Sequence, residues 1–267
     1  MALPSLAEAL RPWLPQMVAA LLVLTALRVG PRAALAAADL GRTLGPVFML
    51  QLAAPLVAAA ALLAGGVLAT PMGLAIVLAL SAPSITGGPN MAIMFGHDPA
   101  PAMRLLVVGT ALFPLTALPA ILILPGVEPL AALRLTAVIL GAVAIGFAIR
   151  AALIPEPSPE AVRRLDGLGV IALAVIVIGL MSAVTPALSG DPLRFATWLA
   201  LSFLLCFGAQ IAARPLGSAV ALAAGNRNIA LWLVALPPDT VAPLLIFIGC
   251  WQFPMYLTPT LMRGLHA

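Results

Sequence analysis

From residue 12 to residue 262, apolar runs of about twenty residues follow one another with only short polar interruptions. Each is long enough to cross the ~30 Å hydrocarbon core of a bilayer as an α-helix. Of the 267 residues, 63% are hydrophobic and 8% are charged. A soluble domain built this way would lack the charge to cover its surface. No stretch of about 50 residues or more remains for a soluble domain. The reading is an all-α membrane protein with a single polytopic domain over 1–267.

Nine membrane segments are predicted, at 12–29, 46–68, 72–97, 101–124, 128–151, 167–188, 192–213, 215–237 and 241–262. The longest loops are 30–45 and 152–166, the second carrying the Pro- and charge-rich run Ile154-Pro-Glu-Pro-Ser-Pro-Glu. The first run could mimic a signal peptide. Glu8 and Arg11 deny it a clearly positive flank and Pro12 and Pro15 open it, so a first membrane helix is expected. Cys206 and Cys250 lie within apolar segments and read as buried small hydrophobes, not a disulfide or metal site.

All thirteen basic residues are arginine, and the net charge is +4. With nine crossings, Arg28, Arg32, Arg42, Arg104, Arg150, Arg163, Arg164, Arg214 and Arg263 share one side. Arg11 and Arg194 lie on the other, with Arg134 just inside its helix. This bias predicts the N-terminus outside and the C-terminus in the cytoplasm, in a bacterial inner (plasma) membrane. It also removes nucleic acid as a partner, because the basic residues are spread over loops without interleaved aromatics. The expected partners are the lipid bilayer and a small organic solute. No cofactor is expected.

An internal repeat runs through the chain. Gly87-Gly-Pro-Asn90-Met-Ala-Ile matches Gly225-Asn-Arg-Asn228-Ile-Ala-Leu. Gly109-x3-Phe113-Pro114-x4-Pro119 matches Gly249-x3-Phe253-Pro254-x4-Pro259. The motifs fall on the third and eighth segments and the ones that follow. Those segments are five crossings apart and run in opposite directions, which makes the repeat an inverted one. The first unit covers about 12–124 and the second about 128–262, with the fifth segment unpaired.

Helical pattern fails at both Asn residues. The first break, Ser81 to Asn90, contains Pro83, Gly87, Gly88 and Pro89, and the second contains Gly225, Asn226 and Asn228. Proline lacks a donor and clashes with the preceding turn, and glycine is about 1 kcal/mol worse than alanine in a helix. Asn90 and Asn228 are expected to cap the half-helices that follow. Two proline kinks without function are the plainer reading, but they do not account for matching Asn residues. Broken backbone at membrane depth persists only where protein or a cavity satisfies it, and a matched pair in inverted halves points to a transport site. Arg227 sits inside the second broken segment, where an unpaired charge costs at least about 2.5 kcal/mol. No acidic residue lies comparably deep. Its partners are expected to be carbonyls freed at the breaks or an anionic solute, with half-helix N-termini adding positive potential. The candidate substrate-binding residues are Thr86, Gly87, Gly88, Pro89, Asn90, Thr110, Gly225, Asn226, Arg227 and Asn228.

Gly-Gly-Pro-Asn90, Gly96-His97-Asp98, Gly109-Thr110 with Pro114, and Gly225-x-x-Asn228 together resemble the bile acid:sodium symporter family, over about 80–125 and 215–262. The resemblance implies a panel domain and a core domain whose two discontinuous helices cross near the substrate and ion sites. The chain departs from that family's pattern where sodium is held. Side-chain oxygens expected there are replaced by Ala102, Leu106 and Ala223, and Arg227 stands at a Gln position. Sodium is a hard cation that takes oxygen ligands, so transport is expected not to use those sites, with Arg227 standing in for the cation.

Taken together, these features predict a secondary transporter of a small organic solute, an organic anion by the family and by Arg227. An enzyme is not expected: His97 and His266 are at segment ends and no acidic pair lies within the bilayer. A non-transporting scaffold or sensor of the same fold, or a channel, is the alternative. His97-Asp98 invites proton coupling, but a helix-ending loop before Pro99 and Pro101 is the simpler reading.

Overall fold

The computed structural model describes residues 4–31, 40–124 and 130–266. Among these, regular structure is helical, with one isolated β-bridge. Seven helices are long and apolar enough to cross a membrane, which makes the chain an integral membrane protein. In chain order the elements are α1 (Pro4–Val29), α2 (Leu40–Ala64), α3 (Pro71–Ser81), α4 (Gly88–Met94) and α5 (Ala100–Ile123). There follow α6 (Leu130–Leu153), α7 (Pro159–Gly190), α8 (Pro192–Leu216), α9 (Ser218–Gly225), α10 (Trp232–Ala235), α11 (Pro238–Leu261) and α12 (Arg263–His266). The third and eighth apolar segments are the interrupted ones, α3–α4 and α9–α10.

Three starts lie six or more residues before the expected bounds, α2 at Leu40 among them. α1 begins at Pro4, with a 3₁₀ turn at Arg11–Trp13 where Pro12 falls. α7 begins at Pro159, eight residues before the expected segment. There Ser158 accepts a hydrogen bond from the Ala161 amide at 3.1 Å and Pro159 supplies a preset first turn. Arg164 then pairs with Glu160 at 2.6 Å on the exposed face. Of the expected 152–166 loop, residues 159–166 are therefore helix, and 154–158 connect α6 to α7. Of the 30–45 loop, residues 32–39 lie outside the described residues, Arg32 among them.

A π-turn at Met49–Ala53 interrupts α2. Pro55 cannot donate to the preceding turn, and the amide of Ala54 reaches back to the Met49 carbonyl. The shift leaves the Leu50 carbonyl without a helical donor, and it accepts from Arg227. In the packing, α6 and α7 lie against α1, α8 lies against α9 and α11, and α5 lies against α2 and α9. The core is filled by Phe113, Trp232, Phe247 and Trp251. Trp232, which follows the second break, stands edge-on to Phe113 with ring centroids 5.2 Å apart. Its indole N–H donates to the Leu78 carbonyl of α3 at 2.9 Å, tying one broken segment to the other.

Candidate functional site

Pro83, Gly87, Gly88 and Pro89 stop α3 and leave its last carbonyls and the next amides without helical partners. The second break does the same to Asn226–Asn228. The two stretches satisfy each other. The Ile85 amide donates to the Asn226 carbonyl at 3.0 Å, and the Asn228 amide donates to the Pro83 carbonyl at 2.8 Å. Ser84 and Arg227 form the antiparallel bridge between them. This is how irregular backbone survives within an apolar bundle: each break is the other's hydrogen-bond partner.

Arg227 is 2% exposed, and it donates to three carbonyls from three segments. Nε reaches Ala224 at the end of α9 at 2.8 Å, and Nη1 reaches Ala82 in the first break at 2.8 Å. Nη2 reaches Leu50 in the π-turn of α2 at 3.2 Å. Of the two partners expected from the sequence, freed carbonyls are the ones it takes. The guanidinium fastens α2 and both breaks together.

The capping expectation for the Asn residues needs correcting. α4 starts at Gly88 with Gly87 at its N-cap, so Asn90 lies one turn inside. Pro89, with its fixed φ and missing N–H, suits the first turn and moves the start ahead of Asn90. The side chain of Asn90 is left exposed. Asn228 does occupy the cap position of the Ile229–Leu231 turn, but its backbone carbonyl, not its side chain, accepts from Leu231. The helical pieces are also short: α4 has seven residues, and the second break continues into a three-residue 3₁₀ turn and a four-residue helix. Few aligned peptides stand behind the expected positive potential at these ends.

Two adjoining cavities, of about 110 and 100 Å³, flank the paired breaks. Thr86, Gly87, Leu21 and Leu173 border both. The first is bounded by Thr25 and Arg28 of α1, Asn90 and Leu106, and Leu165 and Asp166 of α7. The second is bounded by Arg227, Asn228, Met91, Gln252 and Tyr256. Of the sequence-predicted residues, Thr86, Gly87, Asn90, Arg227 and Asn228 therefore converge. Gly88 and Pro89 are buried beside them, while Thr110, half-buried on α5, lines neither cavity. Ala102 and Ala223 are buried, and Leu106 closes one wall of the first cavity, so these three positions present no side-chain oxygen.

Gly225 and Asn226 play packing and networking parts. A Cβ on Gly225 would overlap the Cys206 carbonyl and the Gln210 side chain of α8. Asn226, fully buried, starts a polar chain. Thr258 Oγ1 donates to Asn226 Oδ1 at 3.2 Å, and Gln210 Nε2 donates to Thr258 Oγ1 at 3.2 Å. His266 Nε2 donates to Gln210 Oε1 at 2.9 Å, and His97 Nε2 donates to the His266 carbonyl at 2.7 Å. Thus His97, read as a loop residue, fastens the turn after α4 to α12. Sequence reasoning missed Arg28, Asp166, Gln210 and Thr258. Each is an ordinary residue in its own segment, and only the fold brings Arg28 within 2.8 Å of Asp166.

His266 Nδ1 is buried and has no partner among the described residues. Burial, with help from Arg214 and His97, pushes the imidazole down from 6.5 to about 4. Between these values the unfolded chain takes up a proton that the folded chain refuses. Stability present above pH 6.5 is therefore lost progressively as the pH falls to about 4. The thermal midpoint of the purified protein should fall across that window, and His266→Gln should flatten the fall. Equal slopes in both proteins would refute the assignment.

No protein-family model matches the chain, and no curated protein matches it.

Proposed function

We propose that the chain is a secondary transporter of a small organic anion that works by alternating access at its two broken segments. The observation that carries this reading is the pairing of the breaks beside a cleft that both of them line. Interrupted segments at matched positions form the solute site in many secondary transporters. On this reading the bundle has nine crossings, seven continuous helices and two broken ones. Its halves form the inverted repeat read from the matched motifs, and the broken segments cross. The arginine bias puts the N-terminus outside and the C-terminus in the cytoplasm. The resemblance to bile acid:sodium symporters supports the same solute class.

Sodium has no role in this proposal. Arg227 supplies a fixed positive charge to the Leu50, Ala82 and Ala224 carbonyls, an oxygen set of the kind a hard cation would take. Purified protein in proteoliposomes loaded with an organic anion should show saturable counterflow of labelled anion, unchanged by a sodium gradient. Flux that rises linearly with solute would favour a channel, and no flux with retained binding would favour a scaffold or sensor. Uptake that climbs steeply with inward sodium would overturn sodium independence.

A further inference from the structure

Arg227 spends three of its five N–H donors on backbone carbonyls and is 2% exposed, so the more accessible cation of the cleft is Arg28. It lies on the last turn of α1, with its side chain 26% exposed and its Nε on Asp166 Oδ1 at 2.8 Å. Among the described residues, its two terminal nitrogens donate to no protein group, and the side chains of Thr86 and Asn90 on the same cavity likewise have no hydrogen-bond partner. One cavity thus gathers a guanidinium fork, a hydroxyl and an amide, all unengaged on the cleft side. Apart from Thr25 and Asp166, its remaining wall is mostly aliphatic, with Leu21, Leu24, Leu106 and Leu173. Arg150, whose Nη1 donates to the Leu27 carbonyl at 3.3 Å, adds positive charge behind the end of α1.

We propose that Arg28 is the anion anchor of this cleft, that Thr86 and Asn90 orient the bound group, and that Asp166 is an internal competitor for the same guanidinium. The proposal rests on the transport reading for its meaning and adds the ligand class: a short-chain aliphatic carboxylate or sulfonate. Planar carboxylate matches the fork of Arg through paired hydrogen bonds, and the leucines accept a short alkyl body. A cavity of about 110 Å³ is well below the roughly 300–1,000 Å³ of drug-sized sites, so the body is small. An arriving anion takes the free terminal nitrogens and loosens the hold of Asp166, which is half-exposed and can turn to water.

A competitor and an anchor respond to mutation in opposite directions, whereas a merely structural ion pair responds alike from both ends. The test is calorimetric or thermal-shift titration of the full chain in nanodiscs with butyrate, hexanoate, butanesulfonate and, as the uncharged control, butyramide. Wild type should bind the anions and not the amide. Arg28→Gln should weaken anion binding by about tenfold or more, the cost of a lost charged hydrogen bond, and Asp166→Asn should tighten it by a few-fold. Arg28→Lys, which keeps the charge and loses the fork, should fall between. Anion affinity unchanged in Arg28→Gln, or reduced alike in Arg28→Gln and Asp166→Asn, overturns the proposal. If Arg28→Gln does not fold, a weakened or unchanged Asp166→Asn overturns it as well. Binding that follows these rules without counterflow would defeat the transport reading and leave the anion site standing. Counterflow indifferent to Arg28→Gln would do the reverse.

Discussion

Arg227→Ala should reduce the yield of folded protein severely, and a low millimolar concentration of guanidinium should restore part of it. Truncation removes the donor of three hydrogen bonds and strands the carbonyls of Leu50, Ala82 and Ala224 in a buried site. Each buried polar group left unsatisfied costs about 1–3 kcal/mol, so the sum is comparable to the whole stability of many domains. The three carbonyls belong to α2, the first break and the end of α9, so the loss reaches the contact between the two breaks. Arg227→Lys keeps the charge but has no planar fork to span three acceptors, and it should recover only part of the loss. Free guanidinium fits the vacated space and can reach all three oxygens. Sodium gives the sharper comparison: if the guanidinium occupies a cation position, Arg227→Ala should be stabilised by sodium while wild type is indifferent. The readout is the thermal midpoint and the monodisperse fraction on size exclusion, with potassium or choline as controls. A variant as stable as wild type would mean that the carbonyls find other donors. Severe loss without rescue by guanidinium or sodium would mean that the stem of Arg227, not its head, holds the site.

How much of this was legible beforehand differs by residue, for physical reasons. That residue 227 must find partners followed from the cost of a charge at membrane depth. That Leu50 would be among them did not, because its carbonyl is exposed by the π-turn around Pro55, 177 residues away in sequence. The existence of both breaks was written in local chemistry, in Pro83, Gly87, Gly88 and Pro89 and in Gly225-Asn226. Their mutual pairing through Ile85 and Asn228 was not, since it depends on the long-range approach of two segments. Cap preference alone puts the start of α4 at Asn90, whereas Pro89 in the first turn sets it at Gly88. The start of α7 was hidden by prolines that read as a linker but served as a helix start. Arg28 and Asp166 are the strongest case. Each looks like ordinary topology-setting charge at a segment end, and nothing local distinguishes a residue that faces solvent from one that borders a cleft.

The repeated glycines look equivalent in sequence, and the structure predicts that they are not. Gly225→Ala should be among the most damaging single-methyl changes in the chain, and its counterpart Gly87→Ala should be tolerated. Around Gly225 a Cβ overlaps the Cys206 carbonyl and the Gln210 side chain, so α9 must back away from α8. Overpacking a core costs about 1–3 kcal/mol when side chains can yield, and more is expected where the obstacle is backbone. The displacement also moves Asn226, the next residue, off Thr258 and off the Ile85 amide. At Gly87 the nearest atom to an added Cβ is Ile85 Cδ1 at 3.6 Å, an ordinary contact, and φ is −78°. An alanine there should shift stability by no more than about 0.5 kcal/mol. Gly109 and Gly249 fall on the severe side, against the Gln51 amide and a Val184 methyl. The Gln51 amide, as the end of a flexible side chain, can swing away more readily than the Cys206 carbonyl, so Gly109→Ala should be milder than Gly225→Ala. Thermal midpoints of the three alanine variants in one detergent decide the order. Equal losses at Gly87 and Gly225 would mean that the repeat's glycines serve backbone flexibility at the breaks and not close approach of helices.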